Sequence, residues 1–351
     1  MTGLEIVELD VRDDEAFDAW HHAYEAAEQA SGPDVAAPWQ LEEVRALMQR
    51  EGRRFWDGGY SGFVDGRLVT VGWVRLSLLD NTDRAELAVH TVPGERRRGY
   101  ATAMLAHLEG VARDRGRTTM FGESSWPYAA GPSGAGQPGA EFARTAGYDL
   151  ALGDVKRRLE LPVPDDLLDR LATEAAAHHD GFTVHSWVGP VPDELVVGWA
   201  RLNGSLTTEA PMGELVVEAE YADVATVRET EALVAAQGRT KYNTVALDAD
   251  GELVAFSDLA TTIHEPGKAY QWGTLVRMDA RGHRLGLAVK VANLWLLQRE
   301  RPDVRELITY NAEVNSHMIG VNERLGFVPV ARLGEFQKLP GRQASGKGST
   351  G

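Results

Sequence analysis

Two short stretches of this sequence carry residues whose types and spacing could do chemistry. The first is Arg96-Arg97-Arg98-Gly99-Tyr100-Ala101, which follows the apolar run Leu87 to Val92 and a Pro93-Gly94 turn. Beyond it Leu105, Leu108, Val111 and Ala112 recur at helical spacing, so the loop opens a helix packed on a core. Backbone N–H groups at a helix start have no acceptor within the helix. Beside three arginines they suit a phosphate or pyrophosphate, and Gly99 lets such a ligand approach the backbone. No Gly-Lys-Ser/Thr follows, and the glycine spacing is not that of a dinucleotide fingerprint. The second stretch, Thr274 to Ala288, repeats the same strand, basic loop and helix through Arg281, Gly282, His283, Arg284, Leu285 and Gly286.

The elements that must position these loops also occur twice. A strand at 4–11 is followed by a helix that Asp13 or Asp14 caps, a second helix from Gln40 to Arg50, and a hairpin turning at Asp65-Gly66. Then come the strand and helix already described, a strand from Thr118, a Gly/Pro/Ser-rich loop from Trp126 to Gly139, a short helix from Glu141, and a strand from Lys156 to Leu161. After a connecting helix from Asp165 to His179 the order starts again with Phe182 to Trp187. The repeat, at a separation of about 180 residues, is far too long for a solenoid and indicates a duplicated domain. The expected organisation is α/β with mixed sheets: one domain over 1–163, a linker over 164–180, a second domain over 181–340, and a disordered Gly/Ser-rich tail over 341–351.

Composition narrows the function. A net charge of −16 over 351 residues argues against nonspecific nucleic-acid binding. No apolar run reaches the roughly 18 residues that cross a bilayer, and the N-terminus lacks a signal-peptide pattern, so a cytoplasmic protein with no membrane partner is expected. Without cysteine there is no disulfide, no thiolate metal site and no acyl-cysteine relay. The pairs His21-His22 and His178-His179 lack the spacing of zinc helices, and no metal is expected.

Arg96-x-x-Gly99-x-Ala101 after a strand resembles the acyl-CoA-binding motif of the GNAT acyltransferase superfamily, Gln/Arg-x-x-Gly-x-Gly/Ala. The element order is similar to that fold over nearly the whole chain, in the tandem arrangement of mycothiol synthase-like acetyltransferases. The second loop fits in two registers, Arg281-x-x-Arg284-x-Gly286 or His283-x-x-Gly286-x-Ala288, of which we prefer the first. Asn315-x-x-Met318-x-x-x-Asn322-x-x-x-Gly326-Phe327 resembles a family segment that contacts the pantetheine arm, with Asn322 where a general-acid tyrosine is usual.

The resemblance implies an acetyl-CoA-dependent N-acetyltransferase acting by direct attack on a small-molecule primary amine, as monomer or homodimer. It implies backbone contacts to the acyl carbonyl from Val89, His90 and Thr91, and from Leu275 and Val276. The loops Arg96 to Ala101 and Arg281 to Gly286 would hold the pyrophosphate, and Asn315 and Met318 the pantetheine. Catalytic candidates are Tyr310 as acid, Glu220 as base and Asn322 as a hydrogen-bond donor, with Glu218, Asp223, Asn311 and Glu313 as alternatives. Turnover is expected in the second copy, which keeps the Asn315 helix, although the first has the cleaner phosphate loop. The alternative is a non-catalytic acyl-CoA-binding sensor.

Overall fold

The computed structural model describes residues 3–341, so most of the expected tail lies outside the described residues. In chain order the elements are β1 (Glu5–Glu8), α1 (Asp14–Gln29), α2 (Leu41–Gln49), β2 (Phe55–Val64), β3 (Arg67–Ser77), β4 (Arg84–Thr91), α3 (Tyr100–Asp114), β5 (Thr119–Pro127) and α4 (Pro138–Thr145). They continue with β6 (Asp149–Glu160), α5 (Asp165–Ala176), β7 (Thr183–Val188), α6 (Val196–Gly204), α7 (Leu206–Glu209), α8 (Val224–Ala236), β8 (Arg239–Leu247), β9 (Leu253–Thr262) and β10 (Lys268–Val276). The last are α9 (Leu285–Glu300), β11 (Glu306–Ala312), α10 (Ser316–Leu325) and β12 (Val328–Lys338).

Local chemistry explains the boundaries. Asp13 caps α1, its carboxylate accepting from the amides of Glu15 and Ala16 at 3.1 Å each, a contact worth about 1 kcal/mol. The β2–β3 hairpin turns through Asp65 and Gly66, both at positive φ (49° and 76°), as a tight two-residue turn requires. Asn315 caps α10, and Gly326 closes it in the left-handed region.

The chain divides by contacts into one unit of residues 1–153 with 331–351, and a second of 154–330. In the first, the strands run β1-β2-β3-β4-β5-β12. Helices α1 and α2 pack through Phe17, Trp20 and Val44, and α3 packs through Met104 and Leu108. In the second the order is β7-β8-β9-β10-β11-β6, with α6 packed through Trp199 on Val245 and Phe256, and α9 through Leu294 and Leu297 on Leu259 and Leu307.

The last strand of each unit is therefore not the one that linear reading assigns. The strand expected at 156–161 to finish the first copy pairs instead with β11, Glu160 with Glu306 through Asp154 with Ala312. The strand expected to finish the second copy, β12, pairs with β5, Lys338 with Met120 through Ala331 with Pro127. Residues 154–163 accordingly fall in the second unit and 331–341 in the first, a division different from the cuts at 163, 180 and 340.

Candidate active sites

In each unit two neighbouring parallel strands begin together and then part. Strand β4 pairs with β5 only from Arg84–Thr119 to Glu86–Phe121, and β10 pairs with β11 only from Lys268–Glu306 to Gln271–Thr309. Beyond those points one edge of β4 and of β10 has lost its neighbour, which exposes backbone groups that need partners.

Which amides face that gap follows from strand alternation. The N–H of Val92 donates to Val69 of β3 at 3.1 Å, and His90, two residues earlier, is turned the same way. Val89 and Thr91 therefore present their N–H groups to the gap. Likewise Arg277 donates to Val254 of β9 at 2.8 Å, so Thr274 and Val276 face the gap and Leu275 does not. Of the amides expected from sequence to bind the carbonyl, those of Val89, Thr91 and Val276 face the gap. Those of His90 and Leu275 do not, whereas that of Thr274 does.

The two loops share one conformation, which identifies their registers. Each follows a single 3-10 turn, Pro93–Glu95 or Met278–Ala280. Arg96 (φ −65°, ψ 158°) then matches Arg281 (φ −68°, ψ 157°). Gly99 (φ 85°) matches Arg284 (φ 53°), both left-handed at the helix start. The second loop is thus Arg281-x-x-Arg284-x-Gly286. Among the described residues, the amides of Arg97 through Ala101 and of Gly282 through Gly286 have no protein acceptor. Such a row of inward N–H groups at a helix start fits a phosphate anion.

The arginine side chains behave differently from the expectation. Arg96 donates to the carbonyls of Thr91 and Ala27, at 3.4 and 3.0 Å, and Arg98 pairs with the buried Glu95 at 3.0 Å. Arg281 donates to the carbonyls of Val276 and Glu209, at 3.2 and 3.3 Å. These side chains brace the loop against the sheet and helices. Arg97 is exposed and, among the described residues, has no ion pair. Arg284 and Arg324 both bind the carboxylate of Glu174 on α5, and His283 Nδ1 lies 3.2 Å from the carbonyl of His178. Tyr100 and Leu285 are buried beneath their helix starts, and a Cβ on Gly286 would meet Val276 at an ordinary 3.6 Å.

In the second unit β10 bulges between Gln271 and Thr274. Gly273 is required there, since a Cβ would sit 2.7 Å from the Phe256 ring, and its N–H donates to Asp258 at 2.6 Å. Asp258 also holds Lys241, whose Nζ stands 4.7 Å over Trp272, and Arg239 stands 5.6 Å over the same ring. On the α9 side, fully buried Lys290 reaches Gln271 at 3.3 Å, the last β10 residue still paired with β11. Burial alone lowers its amine to about 7.

Tyr310 is the first β11 residue beyond the last β10 pairing, opposite Lys156 of β6. Asp154, two residues along β6 from Lys156, lies opposite Ala312. Burial, with Glu313 adding to it, lifts the Asp154 carboxyl to about 6. The sequence reading missed Asp154, because it lies in a strand assigned to the other copy. Asn322 is fully buried and donates to Asn311 at 2.5 Å, tying α10 to β11 rather than lying open to a ligand. Asn315 spends its carbonyl oxygen on the Met318 amide at 3.1 Å, and Met318 packs on the core. Asp223 is the cap of α8. The segment around Glu220 is held by its amide to Gly204 at the end of α6.

Comparison with known proteins agrees with this geometry. Residues 15–124 match the model of the Acetyltransferase (GNAT) family. The chain is 27% identical over 309 residues to a mycothiol acetyltransferase of Geodermatophilus obscurus, covering 84% of this chain and 88% of that protein. Among solved structures it is similar to a tandem GNAT protein from the clavulanic acid biosynthesis pathway. That likeness has a TM-score of 0.77 and 29% identity, over 97% of this chain and 99% of that one. A GCN5-related N-acetyltransferase from Sphaerobacter thermophilus shares the fold at a TM-score of 0.61 and 16% identity, over 97% of each chain.

Proposed function

We propose, from the premise that this chain is an acetyltransferase carrying a GNAT family domain, that it moves the acetyl group of acetyl-CoA onto a primary amine of a small molecule. The observation that carries this reading is the parted strand pair in each unit, lying beside a row of unpartnered loop amides. That combination fits acyl-CoA: loop amides for the pyrophosphate, and the N–H groups of Val89 and Thr91, or Thr274 and Val276, for a thioester carbonyl. Acetyl-CoA, when bound, supplies the activated acyl group. The chain itself must orient the amine, take its proton and return one to sulfur. With no cysteine in the sequence, direct attack in a ternary complex is the economical route.

We place this turnover in the second unit. Tyr310, at the opening of the strand gap, is the proton donor to the departing thiolate. Asp154 on the adjoining strand replaces Glu220 as our candidate base, because a carboxyl titrating near 6 is ionised at neutral pH yet basic enough to accept a proton. Arg239 beside Trp272 favours an acceptor with an acidic group, its apolar part on that ring. The similarity to a protein named for mycothiol supports a small-molecule acceptor over a protein one.

A second reading, a non-catalytic acyl-CoA sensor, is favoured by the burial of Asn322 and the clasp of Glu174 on Arg284. Kinetics of Tyr310→Phe and Asp154→Asn separate the two. Our reading expects each to lower kcat by about 100-fold with acetyl-CoA binding retained, and Asp154→Asn to remove the fall in rate below about pH 6. Unchanged kcat in both would move the chemistry elsewhere.

A further inference from the structure

The first unit holds a titratable pair that the proposed reaction does not use. His90 lies on the face of β4 that packs against α1, and its Nδ1 is 3.3 Å from a carboxylate oxygen of Glu28 near the end of that helix. The ring is fixed from a second side by Tyr24, edge-on at 4.8 Å. Tyr24 is itself fixed, its hydroxyl accepting from the Trp39 amide at 2.9 Å. Among the described residues Nε2 of His90 has no protein partner, and the His90 side chain is 17% exposed. A carboxylate behind one nitrogen and an open second nitrogen is the arrangement of an oriented general base. The residues on either side of His90 are Val89 and Thr91, whose amides face the gap between β4 and β5.

We infer that the first unit is a second acetyl-acceptor site, in which the His90–Glu28 pair takes the proton of a cationic primary amine lacking an acidic group. This rests on the reading of the chain as an acetyltransferase, but not on any residue of the second unit. The charged and titratable groups around the pair are Glu28 and Tyr24 from α1, and Arg96 from the loop, bound to the Ala27 carbonyl. Glu43 of α2 and Glu123 of β5 add negative field at Tyr24. Negative groups outnumber Arg96, so an ammonium is favoured, and the exposed Trp39 offers its tail an aromatic surface. The second unit's bulge, with Arg239 over Trp272, has the opposite preference.

The step balances as follows. His90 Nε2 takes one proton from the ammonium, and the neutral nitrogen attacks the thioester carbonyl carbon of acetyl-CoA. The new C–N bond forms and the C–S bond breaks. The nitrogen's second proton passes to the departing thiolate, leaving an N-acetyl amine, CoA thiol and the proton on His90, which solvent removes.

The test uses the full chain with acetyl-CoA and 2-phenylethylamine, which has a cationic head, an aromatic tail and no acid. His90→Ala is expected to slow amine-dependent thiol release by about 100-fold and to recover rate when imidazole is added. Independently of turnover, calorimetry of the amine against CoA-free protein should show binding about tenfold weaker in Glu28→Gln. A rate that His90→Ala leaves alone or that imidazole does not restore, or an affinity that Glu28→Gln leaves alone, overturns the inference. Loss of the acetyltransferase reading itself would appear differently, as no thiol release with any amine in the unaltered chain.

Discussion

Arg281 donates through Nε to the carbonyl of Val276 at 3.2 Å, fastening the start of the second loop to the strand it leaves. Arg96 makes the same contact to Thr91 in the first unit. Each guanidinium continues to a second carbonyl, so we read the leading arginine of the motif as a brace of the loop. Arg96→Ala should therefore lower stability by about 1 kcal/mol and weaken CoA binding at any salt concentration. Arg97→Ala, at an exposed cation, should weaken it only at low salt. Thermal melts with calorimetry at two ionic strengths check the pair. Equal salt dependence in both would return Arg96 to the phosphates.

Glu174 should act on affinity more than on stability. Its carboxylate holds Arg284 and Arg324, all three being over a third exposed, so the ion pairs contribute little to folding. Removing the charge frees two cations beside the loop amides and takes away an anion that opposes phosphate. Glu174→Gln is expected to tighten CoA binding in the second unit about threefold, with a melting temperature within about 2 °C of the parent. Weaker binding would make the clasp a support of the loop.

Lys290 should give the second unit a signature in alkaline solution. Its amine falls to about 7 in the fold from an ordinary 10.5, so between those values the unfolded chain carries the extra proton. Stability then rises with pH across that window, by at most about 1.4 kcal/mol per unit, and the contribution is lost as pH falls through 7. Lys290→Met, which keeps volume and removes the buried amine, should be the more stable protein at pH 7 and lose this part of the slope. Denaturant unfolding from pH 7 to 10 measures it. Parallel curves would mean that Lys290 is charged in the fold.

Much of this was legible in the sequence because it is local. The Asp65-Gly66 turn, the Asp13 cap and both basic loops are set by a few adjacent residues. Which strand completes which sheet is not local. The segments at 149–160 and 328–338 have ordinary strand patterns, and nothing within either says that its partner is β11 or β5. That is why Asp154 escaped notice. His90 was singled out for its backbone, but only the fold brings Glu28 to its side chain, across more than sixty positions of chain. The loop amides were predictable from a helix start, whereas the occupation of Arg96, Arg281 and Arg284 was not, since Ala27, Glu209 and Glu174 come from distant elements.

The measurement that tests the central claim most directly is acetyl transfer by the full chain, followed by CoA thiol release together with the mass of the amine product. The account predicts one N-acetylated amine per thiol released. With acid-bearing amines the rate should fall to background in Gly286→Val, where a branched side chain crowds the second loop's amides. In Gly99→Val, at a backbone φ of 85° that a branched residue resists, most of that rate should remain while one CoA-binding site is lost. CoA binding in both units, with no thiol release above hydrolysis across a broad amine panel, would contradict the account and identify a binding protein instead of an enzyme.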